Sequence, residues 1–139
     1  MAFQYSEKEK REATALFDEG VKYLDQENYA KAVEIWTKAA SRSVVVPETQ
    51  FNLGICYEGG GGVPHDIKKA FEWYEKAAEQ GMPKAELRIG VMYYFGNGVP
   101  KDVSKAAKWY EKAAAHGDPN AQVFIGNCYE YGEGVPKDG

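Results

Sequence analysis

The chain has 139 residues, 44% of them hydrophobic, and Lys+Arg 17 against Asp+Glu 21 leave a formal net charge of -4. This length suits one compact unit, and the mildly acidic balance supplies no concentrated basic surface, so nucleic acid is not an expected partner. No run of about 18 or more apolar residues occurs and Met1–Arg11 lacks the apolar stretch of a secretory signal, which points to a cytoplasmic protein with no membrane partner.

In chain order, Ser6 followed three residues later by Glu9 is a capping-box signature that opens a helix near 6–25. A tight turn at Gln26-Glu27-Asn28 leads into a second helix near 28–42, which carries Ala32, Trp36 and Ala39. Helix pairs near 47–58 and 66–80, then 83–95 and 102–116, follow, and a lone helix near 119–131 completes about seven. Pro83 and Pro119 stand just inside helix starts, where a missing N–H costs little, and Asp118 is the N-cap expected for the last helix. Asp66 and Asp102 are N-caps of the second helices, and Gly81 and Gly117 close those helices as C′ residues. Ala70, Tyr74 and Ala77 form an apolar stripe repeated by Ala106, Tyr110 and Ala113. The alanines let helix backbones approach while the aromatic rings fill the remaining volume.

A period of 36 runs through the chain. It separates Gly54, Gly90 and Gly126, then Tyr57, Tyr93 and Tyr129, and it carries Trp73–Ala78 onto Trp109–Ala114. Periods of this size mark stacked repeats, in which no copy buries its apolar face alone. The N-terminal part follows the same plan, with Gly20 and Tyr23 matching Gly54 and Tyr57 across a shorter connector. Cys56 and Cys128 lie two periods apart, separated by several helix layers of about 8–10 Å each, too far for a disulfide; both are expected to be free core thiols.

No motif for catalysis or a cofactor emerges. Gly59–Gly62 and Gly96-Asn97-Gly98 lead into Val-Pro rather than Gly-Lys-Ser/Thr, so they read as turns needing positive φ and not as phosphate loops. His65 falls in a loop and His116 at a helix end, neither with partners at metal-ligand spacing. No nucleophile with a nearby base is recognisable. The expectation is no metal, no cofactor and no catalytic residue.

Residues 48–139, with Leu53-Gly54, Tyr57, Gly62-Val63, Asp66, Lys69-Ala70, Trp73-Tyr74, Lys76-Ala77-Ala78 and Gly81 and their copies, resemble Sel-one-like repeats. Residues 13–40 resemble one tetratricopeptide repeat at Gly20, Tyr23, Ala32, Trp36 and Ala39, although Glu19 stands where later copies have Leu53, Ile89 and Ile125. The resemblance implies an all-α, right-handed superhelix of antiparallel helix pairs in a single domain, 1–139. Its parts would be a tetratricopeptide-like repeat at 6–42, Sel-one-like repeats at 48–83 and 84–119, and a partial repeat at 120–139 without its second helix.

The same resemblance implies a non-enzymatic adaptor that binds a protein or peptide in a concave groove lined by the first helix of each pair. Phe17 and Val21 would line its first layer, and Phe51, Asn52 and Ile55, beside Glu48, the second. Lys84, Leu87, Arg88, Val91, Tyr94 and Phe95 would line the third, and Asn127 and Tyr131, beside Glu130, the fourth. Asn52, Lys84 and Arg88 match three of five positions by which some tetratricopeptide domains clamp C-terminal carboxylates, but Phe17 and Val21 replace the other two. The alternative function is that of secreted, cysteine-rich relatives with β-lactamase-like or cell-wall-ligand-binding activity. Those relatives carry a cysteine pair within each repeat, which this chain does not. The sequence ends at Lys137-Asp138-Gly139 without a helix after the last N-cap, and self-association through that open end is expected.

Overall fold

In a computed structural model, residues 6–131 are described. They form seven α-helices: α1 (Glu7–Asp25), α2 (Tyr29–Ala40), α3 (Pro47–Ile55), α4 (Ile67–Glu79), α5 (Pro83–Phe95), α6 (Val103–Ala115) and α7 (Ala121–Tyr131). No strand occurs among these residues. The chain divides into two compact units, Met1–Ala70 and Phe71–Gly139, with the boundary inside α4.

In the first unit α1 packs on α2 and α2 on α3. Ser6 caps α1 by accepting the Glu9 N–H at 3.1 Å, as the capping-box pattern requires, and Asn28 caps α2 through the Lys31 N–H at 3.2 Å. Trp36, 1% exposed, reaches from α2 to α1 and donates its indole N–H to the Phe17 carbonyl at 3.2 Å. A Cβ at Gly20 would overlap that indole, so the repeat glycine is the notch that admits the ring. Ala13, Ala32, Val33 and Ala39 are buried with it, and an Arg42–Glu12 ion pair at 2.6 Å ties the end of α2 to α1.

The second unit repeats this construction. α6 packs between α5 and α7, and Val103, Ala106, Ala107, Tyr110 and Cys128 form a buried cluster. A Cβ on Gly90 would stand 2.5 Å from Tyr110 Cε1, so glycine again makes room for the aromatic ring of the facing helix. Asp102 caps α6 by accepting the Lys105 N–H at 3.0 Å, matching Asp66 and the Lys69 N–H at 3.1 Å in the first unit. The connector closes identically in both units: Asp66 N–H donates to the Tyr57 carbonyl at 2.8 Å and Asp102 N–H to the Tyr93 carbonyl at 2.9 Å.

Helix ends follow the expected chemistry with two departures. Gly81 and Gly117 adopt φ +82° and +97°, and the next residues donate back to Ala77 and Ala113, the Schellman arrangement expected of C′ glycines. The helix expected over 47–58 instead stays α-helical only to Ile55 and continues as a π turn, Cys56–Gly60, with Gly59 at φ +135°. The last helix begins at Ala121, not near residue 119. Asp118 Oδ1 accepts the Asn120 N–H at 2.9 Å in an Asx turn, while Asn120 O takes the Val123 N–H at 3.1 Å, so Pro119 lies in the turn and not in the helix.

Both cysteines are free and buried, as their spacing required, and burial pushes each thiol above its ordinary range. Gly59, Gly61, Gly62, Gly96 and Gly98 all have positive φ, which makes the glycine-rich segments turns.

Candidate interaction surface

The first helices of the hairpins, α1, α3, α5 and α7, carry every residue expected at the surface of interest. On α1, Phe17 and Val21 are half-buried. The Phe17 ring stacks on Trp36 at a centroid separation of 6.2 Å and 19°, so it belongs to the hairpin interior as much as to any exposed face. On α3, Phe51 and Asn52 are half-buried, and Glu48 and Ile55 are exposed.

On α5 the side chains sort by height. Leu87, Val91 and Tyr94 are half-buried because they pack against the Val103–Tyr110–Cys128 cluster, whereas Lys84 and Arg88 are exposed. The Arg88 guanidinium lies 5.8 Å from the centroid of the buried Tyr74 ring. Phe95 is 70% exposed, with its edge against Tyr94 at 5.0 Å and 72°. On α7, Asn127 is half-buried and Glu130 exposed, while the Tyr131 side chain lies outside the described residues. Residues 132–139, with Lys137-Asp138-Gly139, lie outside them too.

Among the three positions compared with a carboxylate clamp, Lys84 and Arg88 share one face of α5, and Asn52 stands on α3 in the first unit. The Tyr110 hydroxyl is driven well above the ordinary phenol range, first by burial and then by Cys128 and Tyr94 beside it. It is therefore a neutral core group.

One polar pair went unread in the sequence. Glu86 on α5 is 2% exposed, and its carboxylate oxygens lie 2.7 and 2.9 Å from His116 Nδ1 at the end of α6. His116 thus closes a contact between helices instead of only ending one. The signal was present: Glu86 and His116 stand at the repeat positions of Gln50 and Gln80, a joint change from amides to an acid and an imidazole. The pair lines a shallow depression with Trp109, Lys112 and Gly81. No group of His, Cys, Asp and Glu suited to a metal ion occurs among the described residues.

Tandem helical hairpins, notched by glycine and joined by Gly-Val-Pro turns, define an all-α repeat protein of the solenoid class. The Sel1 repeat model matches residues 15–44, 47–82, 83–118 and 119–139, and the chain belongs to the Sel1 repeat family. The first hairpin, which resembles a tetratricopeptide repeat, is matched by the same family as the others.

Among solved structures, a Sel1 repeat protein from Oxalobacter formigenes superimposes with a TM-score of 0.85 at 35% identity, covering 96% of this chain and 56% of that one. c5321, a protective antigen of uropathogenic Escherichia coli with an SLR fold, gives 0.83 at 34% identity over 93% of this chain and 28% of its own. Helicobacter pylori cysteine rich protein B shares the fold, with a TM-score of 0.68 at 23% identity, covering 86% of this chain and 96% of its own. The chain therefore spans about half or less of the first two structures. Sel1 repeats are a protein-interaction repeat type. No helix among the described residues is long and apolar enough to cross a membrane.

Proposed function

We propose that this chain is a non-enzymatic adaptor that holds a protein or peptide segment against the outward faces of the first helices of its hairpins. The observation that carries this reading is the division of labour on α5. Its repeat positions Ala85, Ile89 and Gly90 are buried, while Lys84 and Arg88, which neither neighbouring copy repeats, and Phe95, which replaces Gly59 of the preceding copy, are exposed. Phe95 is 70% exposed at the end of this helix, with Tyr94 against its edge, and so offers a partner apolar surface.

The half-buried Val21, Phe51 and Asn52 and the exposed Ile55 belong to the same reading on the first unit, as does Asn127 on α7. Phe17 contributes by bracing Trp36. An array of immobilised peptides probed with the intact chain and with an Asn52→Ala/Lys84→Ala/Arg88→Ala variant tests the proposal. Binding by the intact chain that weakens in the variant supports it, and identical binding by both places recognition elsewhere. Nitrocefin turnover lost on a single polar substitution would replace the adaptor with the enzyme alternative.

Self-association belongs to the same proposal. Val123 on α7 is 65% exposed, and no atom lies within 4 Å of a Cβ built on Gly126, so a second copy has apolar surface to cover. Light scattering that reports a monomer at high concentration refutes that part alone.

A further inference from the structure

We infer that the Glu86–His116 pair is an acylation site, at which His116 Nε2 accepts an acyl group from a small, uncharged activated donor such as an activated ester or an anhydride. The reaction is independent of the adaptor reading.

The contact fixes the state of the ring. Both Glu86 oxygens lie within hydrogen-bond distance of Nδ1, at 2.7 and 2.9 Å, and a carboxylate has only lone pairs to offer, so Nδ1 carries the N–H and donates it. The neutral ring then bears its free electron pair on Nε2. No other hydrogen bond or ion pair of the His116 side chain occurs among the described residues. The imidazole is 49% exposed in front of an acid that is 2% exposed. One ring nitrogen is thus fixed on a buried carboxylate, and the other is left for reaction.

Two features favour positive charge on this ring as Nε2 gains an acyl group. The Glu86 carboxylate opposes that charge across a hydrogen bond shielded from water, and the ring stands at the C-terminal end of α6, where the helix dipole favours a cation. A carboxylate on one nitrogen of an imidazole also makes the other the better electron-pair donor. In the step itself, the Nε2 lone pair bonds to the acyl carbon, the bond from that carbon to the leaving oxygen breaks, and the oxygen departs with the electron pair. Nδ1–H stays on Glu86. Water then attacks the acyl carbon, Nε2 leaves with its electron pair, and the carboxylic acid is released with a proton passing to solvent.

Charge in the depression selects the donor. Two carboxylates, Glu79 and Glu86, line it with one ammonium, Lys112, which is stacked over the Trp109 ring at 4.4 Å. A donor carrying phosphate finds no net attraction there, while the half-buried Trp109 gives an uncharged donor an apolar wall. The repeat does not call for the pair: its positions hold Gln50 and Gln80 one period earlier, and Gln122 stands at the first of them one period later.

The other histidine of the chain supplies the reference for a test. His65 is exposed and its Nδ1 lies 3.2 Å from the Glu58 carbonyl, so it offers the same free nitrogen with a neutral acceptor in place of a carboxylate. Diethyl pyrocarbonate is added in limiting amount to the intact chain at one neutral pH, and peptide mass spectrometry follows each histidine separately. His116 is expected to react about tenfold faster than His65, although it is the more covered of a carboxylate-held pair, and Glu86→Gln, which keeps an acceptor and removes the charge, should lower that ratio about tenfold. Circular dichroism checks that Glu86→Gln keeps its helix content, and in denaturant the two histidines of the intact chain should react equally. In a second arm, His65→Gln, whose remaining histidine is His116, should release p-nitrophenolate from p-nitrophenyl acetate faster than His116→Gln does. A His116 rate equal to or below that of His65 in the folded intact chain, or a ratio unchanged in folded Glu86→Gln, overturns the inference.

Discussion

Removing the imidazole of His116 probes how the second unit keeps a carboxylate out of water. Glu86 is 2% exposed and its two oxygens lie 2.7 and 2.9 Å from His116 Nδ1, so His116→Ala leaves a buried carboxylate without that donor. Breaking one side of a buried pair costs about 3–5 kcal/mol, and a hydrogen bond to a charged group contributes about 1.5–3 kcal/mol. The His116 side chain is 49% exposed, so water enters the space it vacates and solvates part of the carboxylate, which brings the expected loss to about 2–3 kcal/mol. Glu86→Gln keeps an oxygen acceptor and removes the charge, so it should cost only about 1 kcal/mol. Glu86→Gln/His116→Ala should cost less than the two single changes together, with a coupling of about 1 kcal/mol. Urea unfolding followed by far-UV circular dichroism at one fixed pH measures all four proteins, provided the denaturant slope is unchanged. A loss below about 0.5 kcal/mol for His116→Ala, or a Glu86→Gln variant as damaged as His116→Ala, would refute the reasoning.

Other expectations follow from single positions. Glu27 ends α1 at φ +60° with Asn28 N–H donating to the Tyr23 carbonyl at 2.8 Å, the station that Gly81 and Gly117 hold elsewhere. Glu27→Gly should therefore raise stability by about 0.5–1 kcal/mol in thermal melts, and a loss would show the strain to be absent. The Thr49 hydroxyl is buried without a hydrogen-bond partner, so the isosteric Thr49→Val should gain about 1 kcal/mol in urea unfolding. Gly90→Ala forces a methyl against Tyr110 and should cost about 1–3 kcal/mol, whereas Gly126→Ala meets open space inside a helix and should gain about 0.5–1 kcal/mol; equal signs in chemical denaturation would contradict the notch. Burial raises the folded pKa of Cys56 and Cys128, so the folded state retains protons that the unfolded state releases, and stability should fall as pH climbs above the ordinary thiol value of about 8.5. Cys128→Ala should flatten that decline in unfolding at pH 7 against pH 10, and both thiols should react with Ellman's reagent slowly until denaturant is added.

The architecture was legible because its cause is local and repeated. Ser6, Asp66 and Asp102 announce helix starts through hydrogen bonds made within three residues, and Gly81 and Gly117 announce helix ends through their own φ. Two boundaries were misread where one local signal competed with another. Asp118 can accept from two or three residues ahead, and with Pro119 between it chose the Asn120 N–H, which delayed α7. Gly59–Gly62 allowed α3 to widen into a π turn in place of an α-helical ending. The Glu86–His116 contact was missed for a different reason: its partners are 30 residues apart, on helices whose facing is set by stacking and not by any pattern within either one. Phe17, expected at the groove from its place on α1, is half-buried and stacks on the Trp36 ring that fills the Gly20 notch, a contact between helices that no pattern within α1 announces.

Repetition also separates the lysines that build from those left for a partner. Lys31 lies 5.9 Å from the Tyr23 ring centroid, Lys69 5.3 Å from Tyr57 and Lys105 5.4 Å from Tyr93, each the residue after an N-cap turn covering the repeat tyrosine. Lys76 and Lys112 cover Trp73 and Trp109 at 4.6 and 4.4 Å in the same way. Each contact is worth about 0.5–1 kcal/mol at an exposed site, and each recurs because the aromatic residue beneath it recurs. These five cations roof the hairpins, and drawing one toward a ligand would uncover an aromatic face that the stack keeps shielded. Lys84 has no such ring beneath it among the described residues and no counterpart one period away in either direction. Lys84 is thus a cation that the repeat neither demands nor uses, unlike the lysines of the second helices, whose chains are spent on shielding the repeat's aromatic rings.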